Sequence, residues 1–318
     1  MVTLDDIRAA QSRIRGMVRE TPMRGSPGLS EIAGGPVWLK CEHEQETGAF
    51  KLRGASNAAA QLGQAAGVTT ASTGNHGRAL AHAARELGIP AVICVSRLVP
   101  KNKIAAIEAL GAEARVIGAS QDEAFEEARR LEREEGFALI PPFDHPEVVA
   151  GQGTLGLEIL GQLPGAAAIA IPLSGGGLLA GVALAAKALK PEIRIIGISM
   201  ERGAAMAASL AAGHPVEVEE LETLADSLGG GIGLENRLTF AVCRDLMDEL
   251  ILLTEEEIAE GIRFLAAEEG ETVEGAAAVG PAAVLAGKLR AELGPLVLLL
   301  SGKNIDPELH RAVMEGDR

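Results

Sequence analysis

Val68-Thr69-Thr70-Ala71-Ser72 is a short β-branched run, a helical run follows from about Asn75 to Leu87, and a second β-rich run is Ala91-Val92-Ile93-Cys94-Val95. Two such strands joined by a helix read as a crossover unit on a parallel sheet. The alternation continues outward. Downstream come a helix from Lys101 to Leu110, a strand at Arg115 to Ile117 and a charged helix from Gln121 to Glu135. A strand within Gly136 to Ile140 then runs into Pro141-Pro142, where the chain is expected to return to a second sheet. That sheet is predicted from a helix over Pro146 to Leu163, strands at Ala168 to Leu173, Ile193 to Ser199 and Val297 to Leu300, and a helix over Leu178 to Leu189. Upstream, an amphipathic helix (about Leu4 to Val18) leads through Thr21-Pro22 and Ser26-Pro27 to a strand at Val37 to Cys41 and a helix from Lys51 to Leu62. The expected fold is α/β, two doubly wound and mainly parallel sheets, with the active site in the cleft at the strand C-terminal ends. Residues 1–64 and 147–318 are expected to form a large domain and residues 65–146 a small mobile one.

The chain has 318 residues, 47% of them hydrophobic, enough for a substantial core. Its 29 basic against 44 acidic residues give a net charge of −15, which repels nucleic acid and anionic membrane surfaces. Six Phe, one Trp and no Tyr leave little with which to stack bases. An anionic small molecule would need a local positive site built from backbone. Cys41, Cys94 and Cys243 are odd in number and far apart, which fits reduced thiols better than a disulfide framework or a metal cluster. No export signal or membrane span is read, so a cytoplasmic enzyme is expected.

Several stretches carry chemistry. Lys40-Cys41-Glu42-His43-Glu44-Gln45-Glu46-Thr47-Gly48-Ala49-Phe50-Lys51-Leu52-Arg53-Gly54-Ala55 sets Lys51 just past a glycine turn and at the head of a helix. That setting suits a held, desolvated amine, although alone such a lysine reads more simply as a surface charge. In Ser174-Gly175-Gly176-Gly177-Leu178, at a strand-to-helix junction, three glycines let amide N–H groups converge on a phosphate; they would also let a helix pack on the sheet. Ser72-Thr73-Gly74-Asn75-His76-Gly77 sits at a similar junction and could grip a carboxylate or merely cap its helix. Ser301, in Leu300-Ser301-Gly302-Lys303-Asn304-Ile305-Asp306, closes the last strand, where a serine is more often a cap or turn residue. Leu224-Ala225-Asp226-Ser227-Leu228-Gly229-Gly230-Gly231 reads as a turn. Gly151-Gln152-Gly153-Thr154-Leu155-Gly156 matches the dinucleotide pattern but follows a helical segment, so nicotinamide and flavin binding are rejected. His43-Glu44 lacks a second His four residues on, and Pro172 stands two residues before Ser174 where a nucleophile elbow needs Gly.

Taken together, the Lys40–Ala55 string resembles the Lys-x-Glu-x-x-x-x-Thr-Gly-Ser-Phe-Lys-x-Arg-Gly-Ala signature of the fold type II pyridoxal-phosphate enzymes of the serine/threonine dehydratase family. The resemblance runs from about Thr21 to Asp306. It implies that pyridoxal 5'-phosphate is the cofactor, that Lys51 forms the Schiff base beside Phe50, and that Ser174, Gly175, Gly176, Gly177 and Leu178 cradle the phosphate, with Ser174 replacing a first glycine. By the same resemblance Ser72, Thr73, Gly74, Asn75 and His76 hold the substrate carboxylate. Asn75 meets the cofactor's phenolic oxygen, Ser301 its pyridine nitrogen, and Glu274 lies near the ring. A neutral hydroxyl on that nitrogen makes a weak electron sink, which favours loss of a β-leaving group. Thr73 occupies the place of a second acid/base in related serine racemases. Arg78 stands where relatives commonly have glutamine and has no role assigned. Ser199 and Ala205 align with the carboxylates that bind a divalent ion in some relatives, so no metal site is expected there.

The strings Ser96-Arg97-Leu98-Val99-Pro100, Asp144-His145-Pro146 and Ser199-Met200-Glu201-Arg202-Gly203-Ala204-Ala205-Met206 look most like the hydroxyectoine utilization dehydratases. The implied activity is elimination of water from a β-hydroxy-α-amino acid, threonine-like, serine-like or hydroxyectoine-derived, to a 2-oxo acid and ammonia. Racemisation or β-replacement on the same scaffold, and a cofactor-binding regulator without turnover, are the alternatives. A homodimer is implied by the family. The chain ends soon after Asp306, and so neither a regulatory domain nor end-product control is expected.

Overall fold

The computed structural model describes residues 2–99 and 101–318. Met1 and Pro100, the last residue of the Ser96–Pro100 string, lie outside the described residues. The chain opens with α1 (Leu4–Arg13), β1 (Met23–Gly25), α2 (Pro27–Ala33), β2 (Val37–Lys40) and α3 (Lys51–Ala59). Next come β3 (Val68–Ala71), α4 (Asn75–Leu87), β4 (Ala91–Val95), α5 (Lys101–Glu108), β5 (Glu113–Val116), α6 (Gln121–Glu135) and β6 (Ala138–Leu139). The chain then forms α7 (Pro146–Gln162), β7 (Ala168–Pro172), α8 (Gly177–Leu189), β8 (Arg194–Met200), α9 (Ala205–Ala212), α10 (Leu238–Leu246) and β9 (Glu249–Leu253). It closes with α11 (Glu255–Phe264), α12 (Gly275–Leu285), β10 (Leu296–Leu299) and α13 (Pro307–Glu315).

Two sheets result, as the alternation predicts. One has strand order β5-β4-β3-β6, every pair parallel. The other has order β1-β2-β10-β7-β8-β9 and is parallel except for β1 against β2. The small sheet is one continuous stretch of chain, whereas the late strand β10 inserts between β2 and β7, so both ends of the chain build the large sheet. Because strand side chains alternate, each strand feeds two cores. Leu296 and Leu298 join Leu39, Ile196 and Ile198 on one face, while Val297 and Leu299 join Ile169, Ile171 and Ile195 on the other. In the small sheet Ile93 and Val95 pack with Val68, while Val92 and Cys94 face Ala124, Ala128 and Leu131 of α6.

The first helix is shorter than the expected Leu4 to Val18. It ends at Arg13, and Gly16 then turns the chain with φ +85°, a conformation that favours glycine. Helix α3 joins the two halves: Leu52, Ala55, Ala58 and Ala59 lie in the core beneath the small sheet, while Phe50 N–H, just before it, donates to Ser301 O at 3.0 Å beside the large one. Its start is further fixed by buried charges. Arg53 donates to Glu42 at 2.7 and 2.8 Å and to Glu158 at 2.6 and 2.8 Å, and Lys40 Nζ donates to Glu158 at 2.9 Å and to Thr21 O at 2.7 Å. Cations and carboxylates here compensate one another, so none is stranded in the interior.

The dinucleotide-like glycines lie inside α7, where their role is packing. A Cβ on Gly151 would stand 2.6 Å from Arg53 O, one on Gly153 would meet Ile7 Cδ1 at 2.7 Å, and one on Gly156 would meet Val182 O at 2.9 Å. The three thus let α3, α1 and α8 approach a single helix closely.

Candidate active site

The C-terminal ends of β3, β7 and β10 and the start of α3 converge on one cavity of about 240 Å³. Phe50, Lys51, Ser72, Gly74, Asn75, His76, Ser174, Gly175, Gly176, Gly177, Leu178, Glu274 and Ser301 all line it. Thr73 does not; it lines a smaller adjoining cavity.

Lys51 is the first residue of α3. Its Nζ donates to Pro142 O at 2.9 Å and lies 5.3 Å from the centroid of the Phe50 ring. Burial lowers the amine from 10.5 to about 8, with the Glu274 carboxylate pulling weakly the other way. The lysine is therefore partly neutral near physiological pH, as a nucleophile or proton acceptor must be.

Across the cavity the chain leaves β7 and enters α8. No acceptor among the described residues takes the amide N–H groups of Ser174, Gly175, Gly176, Gly177 or Leu178. Unpaired donors at a helix start are an anion cradle. The glycines are also required sterically. A Cβ on Gly175 would stand 2.2 Å from Phe143 Cδ1, and Gly176 has φ +84°. The loop is braced from behind by Thr239, whose Oγ1 donates to Gly175 O at 2.7 Å. Asp144 in turn accepts N–H bonds from Arg237, Leu238 and Thr239, capping α10. The Asp144-His145-Pro146 string, which shows no chemistry in the sequence, thus has a physical task in holding the loop.

A second set of open donors faces the first. The N–H groups of Thr73, Gly74, Asn75, His76 and Gly77 also have no acceptor among the described residues, and Gly77 passes so near β3 that a Cβ would meet Ser72 O at 1.9 Å. His76 is not a free ligand. Its Nε2 donates to Ile140 O at 2.8 Å, leaving Nδ1 unprotonated, and burial together with nearby Lys51 depresses its pKa to about 3. The groups this loop leaves open to an anion are its backbone N–H groups and the Ser72 hydroxyl. Asn75 Nδ2 donates to Glu274 Oε1 at 2.9 Å and Oε2 at 3.1 Å, and Asn75 Oδ1 accepts from Asn304 Nδ2 at 2.6 Å. Burial raises the Glu274 carboxyl. Ser301 completes the floor beside Gly302, whose carbonyl accepts from Glu274 N–H at 3.2 Å. Pro142, Phe143, Leu228 and Gly229 also line the cavity, and no sequence pattern marks the first two as site residues.

A cavity with an amine of lowered pKa at one side, two cradles of open N–H donors and a neutral hydroxyl fits pyridoxal phosphate and an amino-acid carboxylate. At the position expected to lack a metal, Ser199 is buried with its Oγ donating to Met200 Sδ at 3.4 Å. Elsewhere Cys41, His43, Glu44 and Glu271 bring ligand-type atoms within 4.8 Å of one another. The Arg24 guanidinium stands among these, paired with Glu44 and Glu271 and donating to Cys41 Sγ at 3.7 Å, and it serves as the cation of that cluster.

Residues 14–302 match the family model of pyridoxal-phosphate dependent enzymes. A Sinorhizobium fredii protein named provisionally as a threonine dehydratase is 54% identical, covering 99% of this chain and 96% of its own length. The L-threonine ammonia-lyase of Thermotoga maritima is 42% identical over 96% of this chain and 76% of the relative. The solved structure of maize serine racemase superposes with a TM-score of 0.92 at 35% identity, covering 99% of this chain and 98% of that one. With a cavity suited to that cofactor and these likenesses along nearly its whole length, the chain belongs to the pyridoxal-phosphate dependent enzymes.

Proposed function

We propose that the protein is a dehydratase that removes water from a β-hydroxy-α-amino acid and delivers a 2-oxo acid and ammonia. The observation that carries this reading is the Lys51 amine, lowered to about 8, in one cavity with two separate sets of open N–H donors. One set suits the cofactor phosphate and the other the substrate carboxylate. Bound pyridoxal phosphate supplies the electron sink that stabilises charge developing at the substrate Cα. The chain supplies the rest. Ser72 and the N–H groups of Thr73 to Gly77 orient the carboxylate, so that the Cα–H bond faces Lys51. The neutral Lys51 amine takes the Cα proton. The β-hydroxyl then leaves as water after accepting a proton, and the enamine product is hydrolysed by a second water to the 2-oxo acid and ammonia. Ser301 offers the ring nitrogen a neutral partner, consistent with elimination over transamination.

The threonine dehydratase and ammonia-lyase names of the relatives support the same reading. Within it, a hydroxyectoine-derived amino acid joins threonine and serine as a candidate substrate. A homodimer in the cytoplasm, with residues 65–146 as a small mobile domain, completes the proposal; no helix among the described residues is long and apolar enough to cross a membrane.

Ammonia release across a panel of hydroxyamino acids tests the activity. Chiral analysis of recovered substrate and trapping with sulfide separate racemisation and β-replacement. Lys51→Ala is expected to abolish the borohydride-fixable visible chromophore, and an unchanged chromophore would refute the role given to Lys51.

A further inference from the structure

Beside the main cavity, and sharing Gly74, Asn75, Ser227 and Glu274 with it, lies a smaller one of about 60 Å³. This holds a few water molecules, the bulk of one small polar group. Arg78, Lys103 and Asp226 are among the residues that line it.

Arg78 lies in the first turn of α4, directly after the loop of open N–H groups that lines the main cavity. Its setting differs from that of the other arginines that bear on the core, such as Arg53, Arg115 and Arg130, which are locked to carboxylates. Among the described residues Arg78 makes no ion pair and no side-chain hydrogen bond. A half-buried guanidinium without a carboxylate, turned toward a cavity that opens on the active site, is a receptor for an anion from outside the chain. The opposing negative wall is weaker. Asp226 is exposed and has one oxygen engaged by the Ser227 N–H at 2.7 Å. Glu274 is held by Asn75 and Asn304, and its carboxyl is raised by burial and by Asp226.

We infer that Arg78, with Lys103 beside it, is a specificity-determining residue that receives a second carboxylate at the far end of the substrate, so that the enzyme selects β-hydroxy-α-amino acids of the 3-hydroxyaspartate kind. The inference rests on the dehydratase reading and narrows its substrate class.

The test compares cofactor-loaded wild type with Arg78→Gln on L-threonine, 3-hydroxyaspartate and 2,4-diamino-3-hydroxybutyrate, measuring kcat and KM for ammonia release. Arg78→Gln should raise KM for 3-hydroxyaspartate until the ratio of its kcat/KM to that of threonine falls at least about tenfold, the effect of one lost charge-assisted hydrogen bond. Arg78→Lys should recover part of that ratio. A ratio that Arg78→Gln leaves in place overturns the inference. So does a wild-type preference for the diamino substrate that Asp226→Asn removes, since Asp226 would then be the reader. If no hydroxyamino acid is deaminated, the dehydratase reading is what fails, and Arg78 is judged by binding. L-Aspartate, which has no β-hydroxyl to lose, should then bind wild type at least about tenfold more tightly than Arg78→Gln in a calorimetric titration. Equal binding overturns the assignment.

Discussion

The Lys51 amine loses its proton early because the cavity desolvates it, and that has two consequences before any substrate arrives. Only the neutral amine attacks an aldehyde, so the rate at which the apoenzyme recaptures pyridoxal phosphate should climb with pH through about 8 and level above it. Stopped-flow absorbance checks this, and a midpoint near 10.5, the ordinary lysine value, would mean the amine is solvated. The second consequence concerns stability. Between about 8 and 10.5 the unfolded chain holds a proton that the native amine has released, so apoenzyme stability contributed by this group rises with pH across that window. His76 acts in the same sense on the acid side. Its native pKa of about 3 lies below the ordinary 6.5, so its contribution is full above 6.5 and is lost as pH falls toward 3. His76 therefore favours the folded state from neutral pH upward, whereas Lys51 does so only above about pH 8.

Among the elements, β2 to β8 and β10 were legible because short β-branched or apolar runs bounded by glycine and proline have few other readings, while the edge strands β1 and β9 were not read, and α4, β4 and α6 keep the predicted bounds. The stretch from residue 205 to 295 was not legible as elements. Helix α12 is buried along nearly its whole length, has no polar face to set a helical period, and carries Gly280 and Pro281 inside it, residues that argue against a helix in isolation. Tertiary burial overrides that preference. The glycine loop and Lys51 could be found because glycine and lysine in a strand-to-helix setting carry local meaning. Pro142, Phe143 and Thr239 could not, since their part in the site arises from contacts across the fold. The glycines of α7 and α8 yield a prediction with opposite signs on the two packed helices. A Cβ on Gly181 of α8 would stand 2.5 Å from Val149 O and 2.6 Å from Gly153 N, both backbone, so Gly181→Ala must push α7 and α8 apart and should cost about 1–3 kcal/mol. Gly161, exposed near the end of α7 with open space around it, should become a few tenths of a kcal/mol more stable as alanine. Urea midpoints for the two variants decide it, and equal shifts would contradict the close packing assigned to the helix pair.

At the scale of the molecule, function requires the two sheets to meet around one cavity, and their contact at the mouth is narrow and polar. Asn75, on the first turn of the small sheet's helix α4, is gripped by Glu274 and Asn304 from the large sheet's loops, and Asn304 Nδ2 also donates to Thr47 O at 2.9 Å in the segment leading to Lys51. Opening the cleft at this point breaks these bonds while leaving the apolar packing of α3 beneath the small sheet untouched. On the proposal that residues 65–146 move as a small domain, the hydrogen bonds among Asn75, Glu274 and Asn304 would act as a latch, and α3 as the joint. Asn75→Ala removes the latch's small-sheet half and takes from the buried Glu274 carboxyl one of the donors that hold its pKa down, which pushes that pKa higher still. The expected outcome is faster amide exchange in the first turn of α4 and in residues 224–231, with exchange in β4, β7 and β10 unchanged, because those strands sit in cores the substitution does not reach. Hydrogen exchange on the full chain measures this directly. Uniformly faster exchange would show that Asn75 supports global stability, and no change at α4 would show that the joint alone sets the closed arrangement.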